Sequence, residues 1–111
     1  MAFDSNQLFN DGSSAVTADG QSSGLTVGPG EHDIEIDVQA KSGTSPTMDI
    51  KVQEYNGSAW VDLAVFPQMT AVGQWHRKVR TAYDQIRLDY NVGGTSPSFT
   101  LVAGITRGVV K

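Results

Sequence analysis

The sequence predicts an all-β protein: an antiparallel β-sandwich with Greek-key strand order and an extended N-terminal arm. Three observations predict it. Apolar and polar residues alternate over much of residues 31–105, the period of a half-buried strand. The turn sequence Gly-Thr-Ser-Pro occurs twice, each copy between similar strands. Glycine, at 12 of 111 residues, and small polar residues stand where helix formers would be, and no stretch carries useful helical periodicity. The length suits one hydrophobic core. We divide the chain into an arm and loop region, 1–30, and a sandwich domain, 31–111.

The arm comes first. Residues 10–30 are rich in Gly, Ser, Thr and Asp, with only Val16, Leu25 and Val27 to bury. Such composition cannot offset its own ordering entropy, so its own sheet or a neighbouring subunit must pin it. Phe3, Leu8 and Phe9 are the expected anchors, with weak strands around 6–9 and 13–17. Removing residues 1–12 is expected to leave the sandwich folded and to weaken attachment to a partner.

From Glu31 the period is two. His32, Ile34, Ile36, Val38 and Ala40 share one face, and the acids Glu31, Asp33, Glu35 and Asp37 the other. Residues 47–53 repeat the pattern, and Asn56-Gly57 supplies the positive φ angles of a tight hairpin. The next strand, 60–66, places Val61, Leu63 and Val65 on one face and Trp60 on the other, and Pro67 ends it. Residues 73–79 put Trp75, Arg77 and Val79 on one side. Residues 85–92 align Ile86, Leu88, Tyr90 and Val92, and residues 98–105 align Phe99, Leu101, Ala103 and Ile105. Six strands are therefore firmly expected.

The echo supports two packed sheets. Gly43-Thr44-Ser45-Pro46 recurs as Gly94-Thr95-Ser96-Pro97, after Ile34-Glu35-Ile36-Asp37 and Ile86-Arg87-Leu88-Asp89 respectively. The offset is 51 at the turns and 52 at the strands, so one residue is gained or lost in the first turn. Each proline biases the serine before it toward extended geometry, opening the turn into its following strand.

Charge is divided unevenly. Residues 1–40 hold seven acids and no Lys or Arg; residues 41–111 hold all eight Lys and Arg against five acids, for −4 overall. A negative balance disfavours free nucleic acid as a partner. The stripe Glu31, Asp33, Glu35, Asp37 matches a basic ridge of Arg77, Lys78 and Arg80, which Arg87 could extend. Copies could pair stripe to ridge in a homo-oligomer; alternatively both are solvated or paired within one chain. Same-face neighbours about 6.7 Å apart are too wide for four carboxylates to hold one ion. With no Asp-x-Asp-x-Asp-Gly loop, calcium is not expected.

No catalytic constellation is legible. Zero cysteines exclude disulfides, thiolate metal sites and a cysteine nucleophile. The two histidines, His32 and His76, read as a structural residue at a strand start and a solvent-facing one. No nucleophile elbow or phosphate-binding glycine loop appears, so neither enzyme activity nor a cofactor or metal is expected. No apolar run of membrane-spanning length and no signal peptide is present, which predicts no membrane partner. Tyr55, Trp60 and Trp75 could form a platform for sugar rings, or Trp60 could pack across its hairpin.

The run Ser42–Leu63, with its Gly-Thr-Ser-Pro turn and Tyr-Asn-Gly-Ser-Ala-Trp hairpin, together with Ile86–Thr100, resembles small β-sandwich structural proteins of tailed bacteriophages. Capsid decoration (cement) proteins are the nearest kind, and the resemblance covers roughly residues 31–106. It implies an Ig-like or jelly-roll-like sandwich, often trimeric, bound through the major capsid protein to the outside of the head, with no enzymatic activity. Assembly would take place in the host cytoplasm, which the absence of cysteine suits. The expected partner surface comprises Phe3, Leu8, Phe9, Asp11, Glu31, Asp33, Glu35, Asp37, Trp60, Arg77, Lys78 and Arg80, with the tail 107–111 as a second arm. Two alternatives remain: a tail, neck or fibre-attachment protein, and a carbohydrate-binding module.

Overall fold

A computed structural model describes residues 3–22 and 24–106. Among them every regular element is a strand: β1 (Phe3–Asp11), β2 (Gly20–Gln21), β3 (Leu25–Thr26), β4 (Gly30–Tyr55), β5 (Trp60–Val65), β6 (Gly73–Thr81) and β7 (Gln85–Thr106). All pairings are antiparallel within one hydrogen-bonded sheet. The all-β, antiparallel expectation holds.

Its organisation differs from six short strands. Residues expected as two strands on either side of each Gly-Thr-Ser-Pro turn are joined into β4 and β7, which pair from Ile34↔Ile105 to Tyr55↔Gln85. At about 3.3 Å per residue, the 26 residues of β4 would extend about 85 Å, yet the molecule's longest axis is 39 Å. The pair must therefore bend, and it bends at the repeated turns. Gly43 and Gly94 have φ of 109° and 100°, Ser45 and Ser96 of 49° and 50°, and Thr44 pairs with Thr95. The expected extended geometry of the two serines is thus corrected: both are left-handed in φ, because the strands turn at these residues.

On one side of the bend, β6 flanks the first half of β4 and β1 flanks the last half of β7. On the other, β5 flanks the second half of β4, and β2 and β3 flank the first half of β7. The inward rows of both sides enter one core: Ile34, Ile36 and Val38 with Met48, Ile50 and Val52, and Ile86, Leu88 and Tyr90 with Phe99, Leu101, Ala103 and Ile105. Alternation predicted these rows correctly.

Two bulges explain where alternation failed. Register shifts between Val38 and Ala40, so β4 carries an extra residue there and Ala40 is exposed instead of joining the inward row. This is the residue that changes the repeat offset, and it precedes the turn. In β5, Val52 pairs with Ala64 but Gln53 with Asp62, which leaves Leu63 as the bulge. Ala64 and Phe66 consequently enter the core and Val65 is exposed, opposite to the expected face, while Val61 keeps the expected inward parity opposite Glu54 and is exposed near the start of the strand.

The N-terminal region is stitched to β7. β1, β2 and β3 all pair with it, and Val16 forms an isolated bridge to Phe99 where a strand over 13–17 was expected. Phe9 is buried in the main core, which makes β1 part of the packed domain.

Candidate functional site

The charged residues chosen from sequence are brought together, but within one chain. Antiparallel register places Glu31 opposite Arg80, Asp33 opposite Lys78, Glu35 opposite His76 and Asp37 opposite Gln74. Lys78 Nζ lies 3.6 Å from Asp33 and Arg80 3.5 Å from Glu31. Stripe and ridge are therefore a cross-strand ladder on β4 and β6. Glu35 departs from an exposed stripe: it is 1% exposed, its Oε1 has no hydrogen-bond partner among the described residues, and His76 Nδ1 stands 3.9 Å away. Gly104 on its other flank has no side chain to hold it off.

Arg77 has the opposite parity, facing Ile34 across the pair, and is exposed at the edge. Arg87 does not extend the ridge. It sits on β7 with its guanidinium carbon 4.4 Å from the Trp60 ring centroid and its Nε donating to Gln53 Oε1 at 2.9 Å. His32 is structural, its ring Nε2 3.0 Å from the Gly28 carbonyl oxygen. Leu8 is half-buried, Phe9 buried and Asp11 exposed, where the Ser13 hydroxyl and N–H hold its carboxyl below the usual range. Phe3 belongs to β1 by its backbone, its side chain lies outside the described residues, and so does the tail 107–111.

The aromatic residues do not form one platform. Trp75 lies on β6 opposite Ile36 and packs on the core. Trp60 lies on the other half of the sheet, across its hairpin from Tyr55, with ring centroids 5.3 Å apart. The Trp60 indole also reaches Gly24, where an added Cβ would stand 3.4 Å from it. Trp60 thus ties β5 to β7 and the segment before β3, the packing role of the two readings.

Two features escaped sequence reading. The first is the cleft of about 410 Å³ between the hairpin tips, lined by Tyr55, Asn56, Tyr83, Asp84 and Gln85 with their small neighbours. One tip turns over Asn56–Ala59: the Asn56 N–H donates to the Ala59 carbonyl, and its Oδ1 accepts from the Ser58 and Ala59 N–H groups. Only Gly57 there has positive φ, so Asn56 acts through its side chain and not through the left-handed conformation expected of it. The other tip is held by Glu54, whose buried carboxylate accepts from the Ala82 and Tyr83 N–H groups at 3.1 and 3.4 Å. Burial of a glutamate at an inward strand position is the signal that could have pointed to this contact.

The second is the edge at β5. Among the described residues β5 bonds only to β4, and it carries a single charge, Asp62. Gln53 and Lys51 donate to that carboxylate and hold it below its usual range. Val65 is 54% exposed, and Val72, in the loop after β5, 57%. The edge strand β6, in contrast, carries His76, Arg77, Lys78 and Arg80. Among the described residues no group of three His, Asp or Glu side chains could hold a metal ion. The chain matches no protein-family model, no curated protein and no solved structure.

Proposed function

We propose that the chain is a non-catalytic structural protein of a tailed-phage particle, a decoration protein that binds the outer surface of the head and bridges capsomers. In this reading the two halves of the bent sheet are the layers of a sandwich, and copies assemble as a homotrimer against the major capsid protein. The turn and strand sequences that resemble phage sandwich proteins support it.

The observation that carries it is the β5 edge. Natural sheets blunt free edges with charge, as β6 is blunted here. Among the described residues β5 instead leaves one backbone edge unpaired, beside exposed Val61 and Val65. Such an edge suits a protein partner that adds a strand, taking affinity from main-chain hydrogen bonds and selectivity from alternate side chains. Repeated over a lattice, modest contacts of this kind accumulate through avidity.

The test is copy number per particle, measured by quantitative mass spectrometry of purified particles, together with attachment of a Val65→Asp variant. A simple whole-number ratio to the major capsid protein, with occupancy lost in the variant, supports decoration. A few copies per particle moves the chain to a tail, neck or fibre-attachment role. Absence from particles overturns the reading.

A further inference from the structure

The hairpin-tip cleft has a composition of its own. Tyr55 and Tyr83 are 36% and 46% exposed, and Tyr55 is braced from behind by the Trp60 ring. Between them stand an amide at Asn56, a carboxylate at Asp84 and an amide at Gln85. The Asn56 side-chain oxygen is committed to its own turn, which leaves its amide N–H groups without a hydrogen-bond partner among the described residues. The Asp84 and Gln85 side chains make no hydrogen bond among the described residues.

The walls are fixed before any ligand arrives. Glu54 clamps the backbone of Ala82 and Tyr83 from below. The Asp84 carbonyl oxygen accepts from the Val27 N–H at 2.7 Å and the Gly28 N–H at 3.3 Å. Rigid walls with unspent donors and acceptors are the arrangement that binds a ligand without an ordering cost.

The chemistry selects the ligand class. No Lys or Arg lines the cleft and Asp84 is negative, which disfavours phosphates and other anions. The cleft is open to solvent and carries Asn56, Asp84 and Gln85 in its wall, which disfavours a lipid chain. Aromatic faces interleaved with amide and carboxylate groups match a ring that has apolar C–H faces and an equatorial belt of hydroxyls.

We propose that this cleft is a binding site for a neutral saccharide. One pyranose ring stacks on Tyr83, with Tyr55 as the second wall, and Asn56, Asp84 and Gln85 hydrogen-bond vicinal hydroxyls. The inference does not depend on the particle reading, and it uses none of the β5 edge.

The full chain, labelled with 15N, would be titrated with neutral malto-, cello-, xylo-, chito- and galacto-oligosaccharides, each to about 10 mM. The expected result is saturable shifts at residues 55–57 and 82–85 for at least one sugar. Tyr83→Ala weakens that binding roughly tenfold, Asp84→Asn weakens it severalfold, and Val65→Asp leaves it unchanged. Both cleft substitutions are at exposed loop positions, and the spectra themselves report that the variants remain folded. Silence of these residues toward every sugar, or equal binding by Tyr83→Ala and wild type, would overturn the proposal. So would shifts produced by a lysine-rich peptide and by no sugar, which would make the cleft a basic-peptide site.

Discussion

Gly43 and Gly94 are closed against each other's turns. A Cβ on Gly43 would stand 2.5 Å from the Ser96 carbonyl oxygen, and one on Gly94 would stand 2.6 Å from that of Ser45. Both residues have left-handed φ. The repeated sequence is thus not two separate turns but one reciprocal crossing, where the long β4–β7 pair bends and each turn supplies the floor of the other. Positive φ and backbone contact act together, so neither glycine has an alternative residue.

Gly43→Ala and Gly94→Ala are each expected to destabilise the fold by about 3 kcal/mol or more, from left-handed strain plus displacement of a carbonyl that cannot move cheaply. Urea midpoints measure this. The double variant should cost less than the two single losses together, because the first displacement already opens the crossing. Additive losses would mean that the turns are independent.

Phe9 tests whether the N-terminal region belongs to the core. Its burial among the inward rows predicts that Phe9→Ala costs about 3–4 kcal/mol. Deleting residues 1–12 should lower the thermal midpoint more than that substitution does, since it also strips the β1 partner from the end of β7. An unchanged midpoint on deletion would restore the picture of a detachable arm.

The inward rows were legible because Ile34, Ile36, Val38 and their counterparts alternate cleanly and each row lies within an uninterrupted ladder. Val65 was misplaced because a one-residue bulge reverses parity after Leu63, and Leu63 at the bulge looks no different from a regular strand residue. The halves of β4 and β7 read as separate strands because Gly-Thr-Ser-Pro signals a turn; sequence does not say that two such turns meet. The charged ladder shows the same limit. Residue types identified stripe and ridge, but the register that joins Asp33 to Lys78 within one chain is a tertiary fact. The cleft was invisible because its walls come from loops about 30 residues apart, positioned by an inward-facing glutamate.

That ladder makes its own prediction. Lys78→Glu places two carboxylates opposite each other at Asp33 and should cost about 0.5–1 kcal/mol, a small figure because both side chains reach solvent. Adding Asp33→Lys restores the pair and most of the stability, and raising salt shrinks both effects. Sedimentation should show the association state unchanged by either variant, because these charges are satisfied within one chain.

Tyr90 sets the response to alkali. It is buried in the core, and burial pushes its phenol above its ordinary pKa, with the polar side chains of Asn10 and Ser22 pulling partly back. A raised folded-state pKa means that the folded protein holds the proton more tightly. Tyr90 therefore contributes stability fully below the unfolded phenol pKa of about 10 and loses it as pH rises through the folded value. Urea titrations from pH 8 upward should show wild type losing stability beyond about pH 10 more steeply than Tyr90→Phe. At neutral pH the variant should be as stable as wild type or slightly more so, because the buried hydroxyl has no hydrogen-bond partner among the described residues. The two curves therefore separate as alkali increases. Parallel curves would mean that the phenol ionises equally well folded and unfolded, and that water reaches it in the core.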